Sequence, residues 1–479
     1  MNYDCIVIGG GLGGLTAGAK LAKSGKKVLL IEQHDRPGGC ATTFKRKDFK
    51  IEVGLHEMDG LHPRDMKTRI FKDLGITDQV EFIKVPEFYR FVNSRYDVVV
   101  SHDPVEMTEK LIGLFPDEEE GIKAYYDTIL NIRQAMKKGE IDANDNLGDF
   151  LDRIINHEDL KLILLGNLGY FHDDPYNLSL GYYCMAQNSY YSGGGNFIKG
   201  GSQVLSNAMM NVIRENGGRV LLNHLVTRLV YRDNLLKGVV YQAKGVGPEI
   251  TDYASDIVLN ASIPQAAEKL LNGEEKESVL DSFSDLEPGA SLLTVYFGFK
   301  TSPSRMGYKH YSTFVYDGSV KSQNDILKNN RSDFKTRSYT FVDYSQIDSG
   351  LAPVGKGVGA ICCIDYTDDW EGMSRIEYKS RKKEVQKIFS ERLNELIPGI
   401  IDEIEYCEVG TAKTVKRYTL NPKGSVYGFA QTPERTQKKL KPPFDNLHYA
   451  SAWTQTGGGF SGAIYSGYLA AMDIVRKRR

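Results

Sequence analysis

The sequence predicts an α/β fold in which both ends of a 479-residue chain belong to one domain. A glycine-rich turn stands between a strand pattern and a helix pattern in "IVIGGGLGGLTAGAKLAKSG", residues 6–25. A similar turn opens an apolar helix near the end, in "TQTGGGFSGAIYSGYLAAM", residues 454–472. A mostly helical stretch and a strand-rich stretch lie between them and indicate a second, α+β domain. At roughly 100–200 residues per domain, the length allows two or three domains.

Composition narrows the class of protein. Hydrophobic residues make up 41% and charged residues 25%, as in ordinary globular proteins. The formal net charge of −2 does not favour a nucleic-acid partner. Six cysteines occur without a CxxC pair, and we expect them to be buried in strands in a reducing compartment. With neither a leader pattern nor a run of ~18 apolar residues, the sequence predicts a cytoplasmic protein that does not cross a membrane.

The first element is a βαβ unit. Residues 4–9 have the pattern of a short β-branched strand, and residues 12–24 have helical spacing on one apolar face. Gly25 ends that helix, and residues 27–32 form the next strand pattern.

The turn inside this unit fits G-x-G-x-x-G. Gly9 permits the tight turn, Gly11 lets a diphosphate approach the helix N-terminus, and Gly14 lets helix and strand pack closely. Glu32 ends the second strand 18 positions after Gly14, near the ~20-residue spacing of an acid that binds a ribose 2′-OH. Together these features predict an adenine dinucleotide, and the carboxylate disfavours NADP because it would repel a 2′-phosphate.

The residues that follow favour FAD over NAD. "RPGGC", residues 36–40, places a Gly-Gly pair where two-dinucleotide-binding flavoproteins pass close to the cofactor. The C-terminal glycine turn suits the flavin ring, because its backbone N–H groups can approach the pyrimidine. The helix starting near Ser461 would then direct its positive end at charge building on reduced flavin. Both ends of the chain are therefore predicted to hold one FAD.

The middle of the chain supplies the remaining elements. Residues 59–191 are mostly helical by pattern and rich in aromatics, and residues 202–218 form an amphipathic helix. Strand patterns follow between residues 219 and 262 and again in a strand-rich middle. A charged helix over residues 376–397 precedes the C-terminal element.

Three stretches resemble the superfamily of phytoene desaturase, carotenoid isomerase and retinol saturase. They are "GNFIKGGSQVLSNAMMNVIRENGGRVLLNHLVTRLV" (195–230), "RYTLNPKGSVYGFAQTP" (417–433) and "NLHYASAWTQTGGGFSGAIYSG" (446–467). The resemblance implies a Rossmann-type FAD-binding domain of the two-dinucleotide-binding, glutathione-reductase-like kind, interrupted by an α+β substrate domain. The implied FAD-binding segments are 1–75, 195–270 and 421–479; the implied substrate segments are 76–194, which is mostly helical, and 271–420, which is strand-rich.

The resemblance also implies which residues contact the cofactor. The first glycine turn would hold the diphosphate, Glu32 the ribose, and the backbone of Val226 the adenine. The implied cofactor-binding residues are Gly9, Gly11, Leu12, Gly13, Gly14, Glu32, Gln33, Gly38, Gly39, Cys40, Val226, Ala261, Gly458, Gly459 and Phe460. Two departures stand out: Cys40 replaces a frequent arginine, and residues 450–453 lack the acid that many relatives carry before the last glycine turn.

His56 and Glu57 are the candidate catalytic residues. In the superfamily the segment after the second cofactor contact lies near the flavin, where either side chain could serve as acid or base. The alternative is that His56 is hydrogen-bonded packing and Glu57 is solvated. A metal site is not expected, because His56 and His62 are six positions apart and Gly60 and Pro63 break any helix.

The resemblance implies an FAD-dependent oxidoreductase acting on CH–CH groups of a hydrophobic polyene or isoprenoid of the carotenoid or retinoid type. Hydride transfer would give desaturation, saturation or cis–trans isomerisation. Two alternatives stay open: a flavin amine oxidase or protoporphyrinogen-oxidase-like enzyme, and a non-enzymatic prenyl-lipid carrier on the same fold.

The partners expected are a hydrophobic small molecule and an electron donor or acceptor that the sequence does not identify, because no second strand-bound G-x-G-x-x-G occurs. Cationic tracts at residues 437–444 and 476–479, with an apolar helix face at 160–171, predict peripheral contact with the inner face of the membrane.

Overall fold

A computed structural model of the chain describes residues 2–232, 235–244 and 247–477. In chain order its strands are β1 (Asn2–Ile8), β2 (Val28–Ile31), β3 (Thr43–Arg46), β4 (Phe49–Glu52), β5 (Met58–Asp59), β6 (Phe82–Lys84), β7 (Tyr89–Val92), β8 (Asp97–Val100), β9 (Gly195–Ile198), β10 (Arg219–Leu221), β11 (His224–Arg232), β12 (Leu235–Ala243), β13 (Ile250–Leu259), β14 (Ser291–Phe299), β15 (Ser312–Val315), β16 (Tyr339–Asp343), β17 (Gly357–Asp365), β18 (Ile404–Gly410) and β19 (Leu447–Tyr449).

Many of the helices lie between β8 and β9, and the others are distributed along the chain. In order they are α1 (Leu12–Lys23), α2 (Met66–Leu74), α3 (Pro104–Leu114), α4 (Glu119–Lys138), α5 (Leu147–Ile154), α6 (Glu158–Leu164), α7 (Leu180–Gly193), α8 (Ser202–Glu215), α9 (Ile263–Leu270), α10 (Gly273–Asp281), α11 (Ile326–Asn330), α12 (Arg375–Leu396), α13 (Ile400–Glu403), α14 (Ala412–Thr419), α15 (Pro433–Gln437) and α16 (Gly459–Arg476).

The first sheet joins strands that are distant in the chain. Its order is β10-β2-β1-β13-β12-β11, and β19 pairs with β13. β1 runs parallel to both β2 and β13, with Ile6 beside Leu29 and Ile257. These strands are continuous apolar runs because both faces of a parallel sheet are buried. Cys5 and Val7 pack on the side of α1, α8 and α16, whereas Ile6 and Ile8 pack on the opposite side.

The second sheet has the order β18-β14-β17-β16-β15-β7-β8 and is antiparallel except for the β7–β15 pair. α12 covers one face, where Phe389 and Leu393 pack against Phe297 and Phe299. Helices between residues 104 and 193 pack near its β7–β8 end. A small sheet, β5-β9-β6, links the segment after the first glycine turn to the returning chain. These layers confirm the predicted α/β class with an α+β insertion, while the exact domain boundaries stay a prediction.

Two expectations from the sequence are wrong. α6 presents no apolar face to solvent, because Leu160, Leu162 and Ile163 are fully buried in the helical core. Buried strand cysteines are found at Cys5, Cys362 and Cys363, but Cys184 lies in a helix, Cys407 is partly exposed, and Cys40 is exposed in a turn. Among the helices of the described residues, none combines the length and apolar character needed to cross a membrane.

Candidate active site

A cavity of about 1500 Å³ runs past both glycine turns and on beneath the second sheet. It brings together residues that are far apart in sequence. The predicted cofactor-binding residues that line it are Gly9, Gly11, Leu12, Gly13, Glu32, Gln33, Gly38, Gly39, Cys40, Val226, Ala261, Gly458, Gly459 and Phe460. Gly14 does not line it, because it faces the strand: a Cβ there would stand 2.1 Å from the carbonyl oxygen of Gly9. That contact matches the packing role predicted for the third glycine.

The first glycine turn leaves the N-terminus of α1 open to the cavity. Gly11 is the N-cap and provides no side-chain cap, and the first helical turn has no acidic residue. Gly9 has φ of +94°, a conformation that a side chain rarely adopts. Free backbone N–H groups at a helix N-terminus, without a side-chain acceptor, suit the diphosphate of FAD.

Asn260 fixes this turn, although the sequence did not single it out. Its backbone N–H donates to the carbonyl of Ile8 over 2.8 Å, and its side-chain amide donates to the carbonyl of Gly9 over 3.2 Å. Asn260 directly follows β13, and β13 runs parallel to β1, so both strand ends meet at one edge of the sheet. In the sequence, the signal for this role of Asn260 was its place as a polar residue directly after an apolar strand pattern.

Glu32 lies at the cavity with its carboxylate held by two backbone donors. The Gly10 N–H donates to one oxygen over 2.6 Å, and the His34 N–H donates to the other over 2.8 Å. The side chain is buried, yet it lines the cavity. Because each carboxylate oxygen can accept more than one hydrogen bond, this acid can also accept a ribose hydroxyl.

The second Gly-Gly pair touches the first turn directly. The Gly38 N–H donates to the carbonyl of Gly10 over 2.7 Å, and Gly38 also forms a backbone bridge with Gly11. Cys40 is open to the cavity but surrounded by protein, and desolvation raises the pKa of its thiol to about 11. At neutral pH this position therefore presents a neutral thiol to the cavity.

The C-terminal glycine turn repeats the arrangement of the first. Gly458 is the N-cap of α16 without a side-chain cap, and no acidic residue lies in the first turn. The buried guanidinium of Arg435 donates to the carbonyl of Gln455 over 2.6 Å and to the side chain of Gln431. Within the described part of the chain, no carboxylate lies within ion-pair distance of Arg435. This buried cation and the start of α16 make the turn electropositive.

The two helices that begin at the glycine turns cross each other at glycines. A Cβ on Gly467 of α16 would stand 2.0 Å from the carbonyl oxygen of Gly13 in α1. A Cβ on Gly13 would stand 2.2 Å from the carbonyl oxygen of Ala450. Backbone carbonyls cannot yield as a flexible side chain can, so Gly467 is required for the approach of the two helices and Gly13 for the approach of Ala450. The approach of the two helices places two helix N-termini at one cavity.

His56 and Glu57 lie in a segment that the substrate-side residues hold in place. Three tyrosine hydroxyls donate to its backbone carbonyls: Tyr296 to Val53, Tyr344 to Leu55 and Tyr311 to His56. Both candidate residues line the cavity. The structure thus brings the predicted catalytic pair to the cofactor-binding cavity.

The two candidates differ in their electrostatics. Desolvation lowers the pKa of His56 to about 4, so its imidazole is neutral at neutral pH. Its Nδ1 lies 3.3 Å from the hydroxyl of Tyr170, an aromatic residue that the sequence reasoning did not assign to the site. Desolvation, followed by the charges of Glu87 and Asp59, raises the pKa of Glu57 well above its ordinary value. Glu57 is only 8% exposed, so the alternative that it is solvated is wrong.

A buried ion pair ties the start of α16 to β5. The ammonium of Lys67 is fully buried, lies 3.2 Å from a carboxylate oxygen of Asp59 and donates to the hydroxyl of Ser461 over 2.7 Å. Desolvation acts to raise the pKa of Asp59, but the charge of Lys67 and the Ser461 hydroxyl keep it below its ordinary value. Asp59 is therefore an anion, in contrast to Glu57 two positions earlier.

Comparisons with known proteins cover almost the whole chain. The family described as flavin containing amine oxidoreductase matches residues 12–475. All-trans-retinol 13,14-reductase of Danio rerio is 26% identical, over 100% of this chain and 86% of that protein. The chloroplastic prolycopene isomerase of Daucus carota is 26% identical, over 99% of this chain and 80% of that protein. The solved structure of an oxidoreductase from Methanosarcina mazei shares the fold with a TM-score of 0.71 and 17% identity, over 99% of this chain and 100% of that chain. The resemblance seen in the sequence is confirmed: the chain belongs to the flavin containing amine oxidoreductase family and is an FAD-dependent oxidoreductase.

Proposed function

We propose that this enzyme exchanges hydride with a carbon–carbon bond of a hydrophobic polyene or isoprenoid, of the carotenoid or retinoid type. The observation that carries the proposal is the continuation of the cofactor cavity into a mostly apolar space beneath the second sheet. Its apolar lining includes Leu168, Phe171, Met185, Phe314, Val320 and Ile326. A retinol reductase and a prolycopene isomerase among the similar proteins support the same substrate class.

The chain's own residues bind and orient in this proposal. Residues 9–13 and Glu32 would hold the diphosphate and ribose, and residues 458–460 would border the flavin. When bound, FAD accepts or returns a hydride. The apolar wall excludes water and binds the hydrocarbon, because each buried CH₂ stabilises the complex by about 0.8 kcal/mol. The imidazole of His56 is neutral at neutral pH and lacks the acidic proton of an imidazolium, so it serves to orient the Tyr170 hydroxyl.

Two experiments test the substrate class. Lipids that co-purify are extracted and identified by mass, and the flavin spectrum is followed after addition of all-trans-retinol or prolycopene. Phe171→Asp should lose the lipid and keep FAD, since it places a charge in the apolar cavity. Ile376→Asp is the matched control, because Ile376 is 81% exposed. Peroxide release from amines, with no response to any polyene, would favour amine oxidation instead.

The carrier alternative predicts a different outcome. A non-enzymatic prenyl-lipid carrier has no need of flavin, whereas both uncapped helix N-termini and Glu32 are retained here. We therefore expect a yellow protein with about one non-covalent FAD per chain. A colourless protein that takes up no added FAD but retains isoprenoid would support the carrier.

Electrons would come from, or go to, a diffusible partner. The chain offers one strand-bound dinucleotide motif, at residues 9–14, and the FAD diphosphate would occupy it. Anaerobic mixing with NADPH, with a quinol, or with a reduced ferredoxin would identify the donor by bleaching of the flavin. If none of these bleaches it, reoxidation of chemically reduced enzyme by quinone or oxygen tests the reverse direction.

We further propose that the cavity opens toward the membrane surface. Met136 and Met185 line the cavity and are 48% and 39% exposed, and the exposed Arg133 lies beside them. The cationic tract at residues 437–444 begins at this rim, where the Gln437 side chain donates to the carbonyl of Ala143 over 3.2 Å. Of the second tract, Arg478 and Arg479 lie outside the described residues.

This arrangement suits a peripheral protein on the inner face of the membrane, because an apolar rim among cations favours anionic lipid. We expect flotation with anionic liposomes at low salt, weakened at high salt and by Met136→Asp. Protein that stays in the bottom fraction at low salt would contradict membrane contact and indicate a more soluble substrate.

A further inference from the structure

A buried carboxyl without partners stands at the edge of the cavity. Glu57 is 8% exposed, and among the described residues neither of its carboxyl oxygens has a hydrogen-bond partner. The carboxyl packs on Gly195, where a Cβ would stand 1.9 Å from Oε2 and 2.9 Å from the side chain of Val85. An ionised carboxylate would leave both oxygens unpaired in an apolar site, which costs far more than burying the neutral acid.

A second buried carboxyl, Glu87, lies near it and connects to the surface. The backbone N–H of Tyr311 donates to Glu87 Oε1 over 2.7 Å. Nδ1 of His310 lies 3.6 Å from the same oxygen, and the His310 side chain is 27% exposed. His102 also faces Glu87. Desolvation lowers the pKa of the His102 imidazole to about 4, and the charge of Glu87 offsets part of this effect. Glu87 thus stands between the partly exposed His310 and Glu57.

The surrounding groups favour the protonated form of Glu57. Glu87 accepts the Tyr311 N–H and has the His310 ring 3.6 Å away, whereas neither carboxyl oxygen of Glu57 has a hydrogen-bond partner among the described residues. The titratable groups that face Glu57 are Glu87, Asp59 with its partner Lys67, and the phenols of Tyr170, Tyr190 and Tyr311. Both acids oppose ionisation of Glu57, and the phenols are neutral. His56, its neighbour in the chain, is neutral as well.

We propose that Glu57 is the proton donor of a C=C reduction, and that His310 and Glu87 return its proton from solvent. This inference rests on the proposed function and adds that the reaction runs in the direction of saturation. Reduction of one C=C bond takes up a hydride, which comes from reduced FAD, and a proton, which comes from the Glu57 carboxyl. Two C–H bonds form, the π bond is lost, the flavin is oxidised, and Glu57 becomes a carboxylate.

That carboxylate then lies beside Glu87 and Asp59 without a counter-charge, so it takes a proton back. Glu87 passes the proton on from His310, and solvent reprotonates His310. Desaturation would need the opposite resting state, with a basic carboxylate ready to accept a proton from the substrate. The unpartnered, protonated Glu57 fits saturation.

The test uses the FAD-loaded enzyme, reduced chemically without oxygen and mixed with a conjugated polyene such as all-trans-retinol. Glu57→Gln should slow reoxidation of the flavin by about 10²–10⁴-fold, the usual contribution of general acid catalysis. Glu57→Asp should recover part of the rate, and Glu87→Gln should leave the first turnover fast but slow later ones. Glu274→Gln, on the exposed start of α10, is the control and should match the wild type.

An infrared spectrum of the apoprotein at neutral pH provides a readout besides activity. The carbonyl band of protonated carboxylic acids should be weaker in Glu57→Gln than in the wild type; Glu52 and Asp365, whose pKa values burial raises to about 7, contribute the part that remains. The proposal is overturned if that band is unchanged, or if Glu57→Gln oxidises reduced flavin as fast as the wild type. If the wild type itself reacts with no polyene, the proposed function has failed and the proton-donor role falls with it; wild-type turnover with an unaffected Glu57→Gln overturns the proton-donor role alone.

Discussion

Replacement of Glu32 by glutamine isolates the contribution of a single carboxylate oxygen. In the native chain the two oxygens accept the N–H groups of Gly10 and His34 over 2.6 and 2.8 Å. Glutamine keeps one acceptor oxygen and turns an N–H₂ group toward the other backbone donor. One buried N–H then has no acceptor, which costs about 1–3 kcal/mol of apoprotein stability.

The effect on FAD is separate from this loss of stability. A ribose hydroxyl loses a charged acceptor, worth about 1.5–3 kcal/mol, which corresponds to an increase in the FAD dissociation constant of about 10- to 150-fold. Titration of apoprotein with FAD, followed by quenching of flavin fluorescence, measures the dissociation constant. The thermal midpoint of the same apoprotein measures the stability.

Asp35→Asn is the matched control. Asp35 lies three positions further on, its side chain is 63% exposed, and it pairs with Arg36. We expect the control to bind FAD as the wild type does. A folded Glu32→Gln protein with an unchanged FAD dissociation constant would refute the placement of the ribose at Glu32.

Three further predictions follow from backbone contact, burial and charge. Gly467→Val should abolish FAD binding from outside the cavity, because its side chain would meet the carbonyl of Gly13, whereas Gly113→Ala has open space and should bind FAD normally; absorbance of the purified proteins decides this. His56 titrates near pH 4 in the fold but near pH 6.5 when unfolded, so the unfolded chain binds more protons and stability falls as the pH drops through this range. Between about pH 7 and pH 4.5 the wild type should lose about 2 kcal/mol of stability that His56→Gln does not lose. The thermal midpoint of His56→Gln should therefore fall less than that of the wild type over this range. An equal fall in both proteins would contradict the lowered pKa of His56. Arg435→Gln should lower the reduction potential of bound FAD, because it removes a buried cation beside the second glycine turn; a dye-coupled potential titration that shows no change would exclude this role.

The residues that would hold the diphosphate and the ribose were predictable, because they lie close together in the sequence. A glycine turn, the strand before it and Glu32 all lie within one βαβ unit, so spacing alone carries the information. The residues that complete the site come from distant segments. Asn260 contacts the first turn only because β13 lies beside β1, and no periodicity in the sequence specifies that pairing.

The protonation states of the catalytic candidates were not predictable, because they depend on tertiary burial. His56 and Glu57 are neighbours in the chain, and the sequence allowed acid or base for either, with packing of His56 and solvation of Glu57 as the alternative. Only the fold shows that Glu57 packs on Gly195 with Glu87 beyond it. The prediction of an exposed apolar face on α6 was wrong for the same reason. A helical pattern does not indicate which of its faces other helices will cover.

The glycine crossing of α1 and α16 sets the order of events during biosynthesis. Gly13 leaves the ribosome long before its partner Gly467, because more than four hundred residues separate them in the chain. Multidomain chains ordinarily fold from the N-terminus as they are made, and here the first βαβ unit has to wait for the last helix. Its apolar strands are exposed meanwhile, as targets for chaperones. Loading of FAD therefore requires that α16 has been made, and a nascent chain cut short before α16 does not reach this step.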